Sequence, residues 1–138
     1  WTVDGPMIER YHPPLGPGVA DRFEFSRAVT DAQVAEAQVI RAAFRKRFGA
    51  LLADDAVLIL PTMPDIAPLL SESDEALNDY RNNALNLLCL SVLSGLPQVS
   101  IPLASRSRSP LGLSLMGPAG SDMSLVALAH RIADSASE

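Results

Sequence analysis

Gly95-Leu96-Pro97-Gln98-Val99-Ser100-Ile101-Pro102-Leu103, followed by Pro110-Leu111-Gly112-Leu113-Ser114-Leu115-Met116, is the stretch that decides how this chain folds. Val99, Ile101 and Leu103 alternate with smaller or polar neighbours, and Leu111, Leu113 and Leu115 alternate with Gly112, Ser114 and Met116. A period of two sends successive side chains to opposite faces, so residues 98–103 and 111–116 read as strands. The connection Ser105-Arg106-Ser107-Arg108-Ser109-Pro110 is short, which predicts a hairpin.

Helices flank this hairpin. Upstream, a helix is expected to start near Ser73 and run through Leu77, Tyr80, Ala84, Leu88 and Val92 to Gly95, a natural left-handed cap, with Pro97 blocking continuation. Residues 87–90 make its second half apolar nearly all round, so that half is expected to be buried. Downstream, Gly117-Pro118-Ala119-Gly120 turns the chain and Ser121 or Asp122 caps a last helix whose inner face is Leu125, Val126, Ala129, Ile132 and Ala133.

Further upstream, Ala56-Val57-Leu58-Ile59-Leu60 is a short branched apolar run stopped by Pro61, as in a strand covered on both faces. Pro61, Pro64 and Pro68 then stiffen a loop over residues 61–70. Before the strand, Thr30-Asp31-Ala32-Gln33 has the pattern of a capping box, and Ala37, Ile40, Phe44, Phe48 and Leu51 form one stripe of an amphipathic helix over residues 31–53. Residues 1–29 hold four prolines and three glycines and are expected to be an extended or turning arm. The predicted order is arm, helix, strand, helix, strand, strand, helix, an α/β arrangement.

Composition bounds the rest. With 138 residues, 48% of them apolar, the chain can bury a core as one domain or a large piece of one. A net charge of -5, from 11 basic and 16 acidic residues, argues against disorder and has the wrong sign for a nucleic-acid binder. The longest apolar stretch, residues 84–103, is interrupted by Asn86, Gln98, Pro97, Pro102 and several serines, so no membrane span is expected. One cysteine, Cys89, forms no internal disulfide, which favours a reducing, cytoplasmic compartment. No initiator Met precedes Trp1, so the chain is expected to be either processed or the back end of a longer protein.

The residues that carry chemistry are few. His12 lies in the arm, and His130 falls on the last helix with Asp134 four residues on, a surface pairing distance. No His-x-His, Cys-x-x-Cys or Glu-His pair stands at ligand spacing, so neither a metal site nor another cofactor site is expected. The sole lysine, Lys46, lies in the basic run with Arg41, Arg45 and Arg47, which reads as a solvated helix face. Cys89 has no basic neighbour to activate it and reads as a small core residue. Tyr80, Arg81, Asn82 and Asn83 precede the apolar half of their helix, where polar groups either face solvent or project into a cleft.

The ordered set Gly95-Leu96-Pro97 leading into Ile101-Pro102, then Pro110-Leu111-Gly112-Leu113-Ser114-Leu115-Met116-Gly117, then Ser121-Asp122 with Leu125 and Ala129, resembles the C-terminal part of the amidase signature family. Asp54-Asp55-Ala56-Val57-Leu58-Ile59-Leu60-Pro61-Thr62 with Ala67-Pro68, and Leu15-Gly16-Pro17-Gly18-Val19, are similar to stretches that come earlier in that family. Residues 81–89 and 94–99 are most similar to the branch of plant and bacterial indole-acetamide-type amidases.

The resemblance implies the C-terminal part of a mixed sheet flanked by helices, about three strands and three helices of it here. It also implies a serine hydrolase of carboxamides with a Ser, cis-Ser, Lys triad in a Gly/Ser-rich signature. This chain has no Gly-Gly or Ser-Ser pair, and Lys46 has no serines at the family's spacing, so no catalytic residue is expected in it. Residues 1–29 are then a connector and 30–138 a C-terminal segment whose partners are the upstream part of the same protein and a small-molecule amide. Met63, Ile66 and Asn83 are expected to wall the acyl side of the substrate pocket. An amidase-like binding or receptor module without catalysis, and a self-standing small α/β domain, are the competing readings. Taken alone, the chain is expected to self-associate through uncovered strand edges.

Overall fold

The computed structural model describes residues 1–53 and 56–136. The expected aspartates of the stretch before the first strand, Asp54 and Asp55, lie outside the described residues. Among those described there are five helices, α1 (Gly5–Tyr11), α2 (Pro17–Ala28), α3 (Asp31–Leu51), α4 (Asp74–Ser94) and α5 (Asp122–Ser135), and three strands, β1 (Leu58–Pro61), β2 (Gln98–Arg106) and β3 (Ser109–Met116). They divide into two units, residues 1–40 and residues 41–138.

In the first unit, the expectation of an extended arm is corrected: two helices occupy it. Pro6 and Pro17 sit in the first turns of α1 and α2, where a missing N–H breaks no helical bond and a preset φ assists the start. His12 ends α1 in a left-handed conformation (φ 44°), its N–H donating to the carbonyl of Ile8, and Pro13-Pro14 prevent continuation. Arg27 of α2 pairs with Glu9 of α1 at 3.4 Å and lies over the Trp1 ring. The capping box forms as expected: the Thr30 N–H donates to Gln33 Oε1 at 2.9 Å, and the Gln33 N–H returns to Thr30 Oγ1 at 3.3 Å.

In the second unit the sheet has the order β1-β3-β2, and both pairings are antiparallel. Ser107 and Arg108, with φ of 51° and 69°, make a tight turn, so the strands of the hairpin extend further than the sequence suggests, to Arg106 and Ser109. Between the Ile101–Leu113 and Ala104–Leu111 pairs, Pro102 and Leu103 oppose Gly112 alone, a bulge placed where proline has no N–H to give the ladder.

Alternation along β3 builds two cores. Leu115 packs with Ile101 of β2 and with Leu125 and Ala129 of α5. Met116, one residue on, turns to the other face and packs with Leu60 and Leu52, against which Phe48, Leu87, Leu90 and Leu96 lie. Phe44 stacks on Phe48 with ring centroids 5.2 Å apart.

Two burial expectations are corrected here. Strand β1 is covered on one face only: Leu60 is buried while Ile59 is 59% exposed, because α5 packs on β2 and β3 and leaves β1 open. The second half of α4 is not buried all round: Leu87 and Leu90 reach the Met116 cluster, whereas Leu85 and Val92 remain exposed. The ends of α4 form as read. Ser73 Oγ accepts from the Ala76 N–H at 3.2 Å, and Gly95 caps the far end with φ 73°, a conformation that a Cβ disfavours.

The basic run on α3 does more than meet solvent. Arg41 Nη2 donates to the Val92 carbonyl at 3.1 Å and its Nε to that of Leu93 at 3.2 Å, so the guanidinium satisfies the last turn of α4. At α5, Ser121 occupies the cap position, yet its hydroxyl donates back to the Pro118 carbonyl at 2.7 Å. No helix among the described residues is long and apolar enough to cross a membrane.

Since Leu115 is fully enclosed between β2 and α5, Leu115→Ala is expected to cost about 2–5 kcal/mol of stability. Ile59→Ala, on the open face of β1, is expected to change it by about 0.5 kcal/mol or less. Urea unfolding of the two variants checks the contrast.

Candidate functional site

The proline-rich loop that leaves β1 is held at its base and again at its middle. At its base, the Thr62 N–H donates to the Gly112 carbonyl at 2.8 Å, extending the β1–β3 ladder by one bond. Thr62 Oγ1 lies 2.9 Å from Ser114 Oγ, which lies 3.0 Å from Ser100 Oγ, so three hydroxyls form a row across all three strands. Three O–H protons serve two hydroxyl-to-hydroxyl bonds, leaving one O–H proton beyond those the row itself uses. Ser114 in the middle is fully buried and Ser100 is exposed. Gly112 makes the close approach possible, since a Cβ there would come within 2.5 Å of Thr62 Oγ1.

Further along the loop, Asp65 joins three elements. Its Oδ1 accepts from the Ile66 N–H at 2.8 Å, its Oδ2 accepts from Arg106 Nη1 at the tip of the β2–β3 hairpin, and its carbonyl accepts from Tyr80 Oη of α4 at 3.1 Å. The Ile66 N–H first, and then the hydrogen bond from Arg106, hold the Asp65 carboxyl below the usual carboxylate range. The ion pair is solvent-exposed, so its contribution to global stability is small and its effect is on the loop.

Loop and helix enclose a cleft of about 410 Å³, lined by Ile66, Ala67, Pro68 and Leu69 on one side and Ala76 and Tyr80 on the other, with Asp65 and Glu72 at its polar margin. Such a surface, apolar with a few fixed polar groups, suits the apolar part of a small molecule.

Of the three residues expected to wall a pocket, Ile66 is half-buried in this cleft. Met63 is half-buried in the same loop but does not line the cleft, and Asn83 is exposed on α4, one turn beyond Tyr80 and outside it. Sequence reasoning gave Asp65 no role of its own, read Arg106 with Arg108 as solvated loop charges, and noted Tyr80 only as one of a polar group. An Asp in a Pro-rich loop is a signal for a side chain that bonds its own backbone. The partnership with Arg106 crosses 41 residues and leaves no local trace.

Groups able to perform nucleophilic chemistry are not assembled here. His12, His130 and Lys46 are exposed and none bonds to the hydroxyl row. The Cys89 Sγ donates to the Asn86 carbonyl at 3.1 Å. Among the described residues no group of three His, Cys, Asp or Glu is placed to hold a metal ion.

Because the folded Asp65 carboxyl has a lowered pKa, the contacts made by its charged form persist throughout the neutral range. They are lost only as pH falls through that lowered value. In an NMR titration the Ile66 amide is expected to shift with a midpoint below the ordinary Asp value, and Arg106→Gln is expected to move that midpoint upward. A midpoint at the ordinary value in the unmodified protein contradicts the assignment.

Comparison with known proteins places these features. Residues 11–126 match the family model described as Amidase. "Amidase 1" of Arabidopsis thaliana is 32% identical over 129 residues, which cover 94% of this chain and 30% of that protein. "Outer envelope protein 64, chloroplastic", also of Arabidopsis thaliana, is 30% identical over 122 residues, 88% of this chain and 21% of that protein. A solved structure titled "Crystal structure of amidase" superposes with a TM-score of 0.80 at 22% identity, covering 93% of this chain and 30% of that one, and so supports the fold. The chain thus spans no more than 30% of the length of these relatives. The family match runs unbroken through the long helix, the loop with its cleft and the hairpin to the start of α5, and this chain belongs to the amidase family.

Proposed function

We propose that this chain works as the C-terminal segment of a serine amidohydrolase, adding strands and part of a substrate wall to a catalytic centre built upstream. The reaction is hydrolysis of a carboxamide to a carboxylate and ammonia, with the Ser, cis-Ser, Lys triad supplied by the preceding segment. One observation carries this reading: the only lysine, Lys46, is exposed on α3, and the buried serine of the hydroxyl row contacts two other hydroxyls and no base. A nucleophile needs a base within hydrogen-bond reach. In this reading the chain by itself is inactive, and its contribution is shape.

In that reading Met63, Ile66 and Asn83 contact the acyl side of the substrate. Ile66, set in the cleft, is the best placed of them. The absence of an internal disulfide partner for Cys89 supports a reducing, cytoplasmic setting.

A second reading is an amidase-like binding or receptor module without catalysis, and one relative, an outer envelope protein, carries a name that gives a location and no amidase activity. The presence or absence of the serines and lysine in the upstream segment separates the two.

Self-association belongs to the same proposal. Strands β1 and β2 each leave one edge unpaired in the sheet order, and Ile59, Leu85 and Val92 expose apolar surface that an upstream segment or a second copy would cover. Edge pairing between identical chains gives a symmetric dimer.

Two outcomes are expected. In the full-length enzyme, Ile66→Ala and Met63→Ala shift relative kcat/KM among amides of different acyl size, by about 1–3 kcal/mol per methylene discriminated. A uniform loss across substrates assigns these residues to packing alone. In light scattering at micromolar concentration the isolated chain behaves as a dimer. A clean monomer that binds no hydrophobic dye supports the self-standing domain instead.

A further inference from the structure

Asp65 hydrogen-bonds to both the hairpin and α4, through two different groups. Its carboxylate holds Arg106, and its carbonyl holds Tyr80, which is itself part of the cleft wall. The same carboxylate accepts from the N–H of Ile66, so the backbone that aims Ile66 into the cleft is tied directly to the charge pair. Between the Thr62 anchor at β3 and the Ser73 cap of α4, Asp65 is where the loop's path is set by bonds to other elements.

We propose that Asp65 and Arg106 are positioning residues for substrate selection: by joining the hairpin tip to the loop they set where Ile66 stands and hence which acyl groups the cleft admits. This rests on the reading of the loop as an acyl wall. Neither residue touches reacting atoms. Arg106 lies 41 residues away in sequence and acts only through Asp65, so its effect on selectivity is indirect and specific. An amide oxygen reproduces part of what the carboxylate accepts, so asparagine at this position keeps the bond from Ile66 while weakening the one from Arg106.

The test uses the full-length enzyme. Hydrogen exchange is followed in a peptide spanning residues 62–70, and kcat/KM is measured for a small-acyl and a bulky-acyl amide. Asp65→Ala and Arg106→Gln are expected to raise exchange in that peptide by roughly tenfold and leave peptides from β3 and α5 unchanged. Arg106→Gln is expected to change the ratio of the two kcat/KM values by roughly fivefold, through KM for the bulky amide, with kcat for the small amide unchanged. Asp65→Asn, which keeps the bond from Ile66 and weakens the one from Arg106, is expected to restore only part of the exchange protection lost in Asp65→Ala. Unchanged exchange in the loop overturns the positioning role. If Ile66→Ala moves the ratio and Arg106→Gln does not, the proposal fails while the acyl-wall reading stands. If Ile66→Ala itself leaves the ratio unmoved, the acyl-wall reading fails and the selectivity role with it.

Discussion

The central place of β3 is the constraint on which the rest depends. Paired on both sides, it places Leu115 on the α5 face and Met116 on the opposite one, and both are completely enclosed. A slip of one residue exchanges the two faces and sends Ser114 into the hydrophobic layer under α5, leaving the hydroxyl row unmade. Register is therefore held from two directions, by apolar burial and by the Thr62–Ser114–Ser100 hydroxyls. The bulge at Pro102 and Leu103 absorbs the one place where β2 cannot keep the ladder.

From that strand the cleft is built outward by progressively weaker ties. Gly112 and Ser114 anchor the base of the loop through a backbone bond and a buried hydroxyl. Asp65, three positions beyond Thr62, is held by an exposed ion pair and a tyrosine hydroxyl. A buried bond is costly to leave unmade and an exposed pair is less so, so the base of the loop is held more firmly than its middle.

The apolar surface left open has a consistent distribution. Ile59 on β1 and Leu85 and Val92 on α4 lie outside both clusters, whereas the residues that face β3 are enclosed. The cores seen here are centred on one strand and thin out toward the edges of the sheet. This accords with a chain that spans at most 30% of its relatives and superposes on an amidase structure over nearly all of its own length.

Local chemistry alone determined much of this protein. The hairpin, the Thr30 box and the Ser73 and Gly95 caps follow from side chains acting within a few residues, and each forms as read. The family resemblance rested on the same segments. Proline misled where its position mattered more than its presence: Pro6 and Pro17 begin helices that their density suggested they would prevent. Ile66 lines the cleft and Asn83 is exposed outside it, a difference that no local pattern in residues 61–83 marks. Only the tertiary structure decided which face of β1 and α4 is covered, that Arg41 closes the end of α4, and that Arg106 meets Asp65. Those contacts join residues 41 to 52 positions apart, and no local pattern in the chain encodes which distant partner a charged side chain will find.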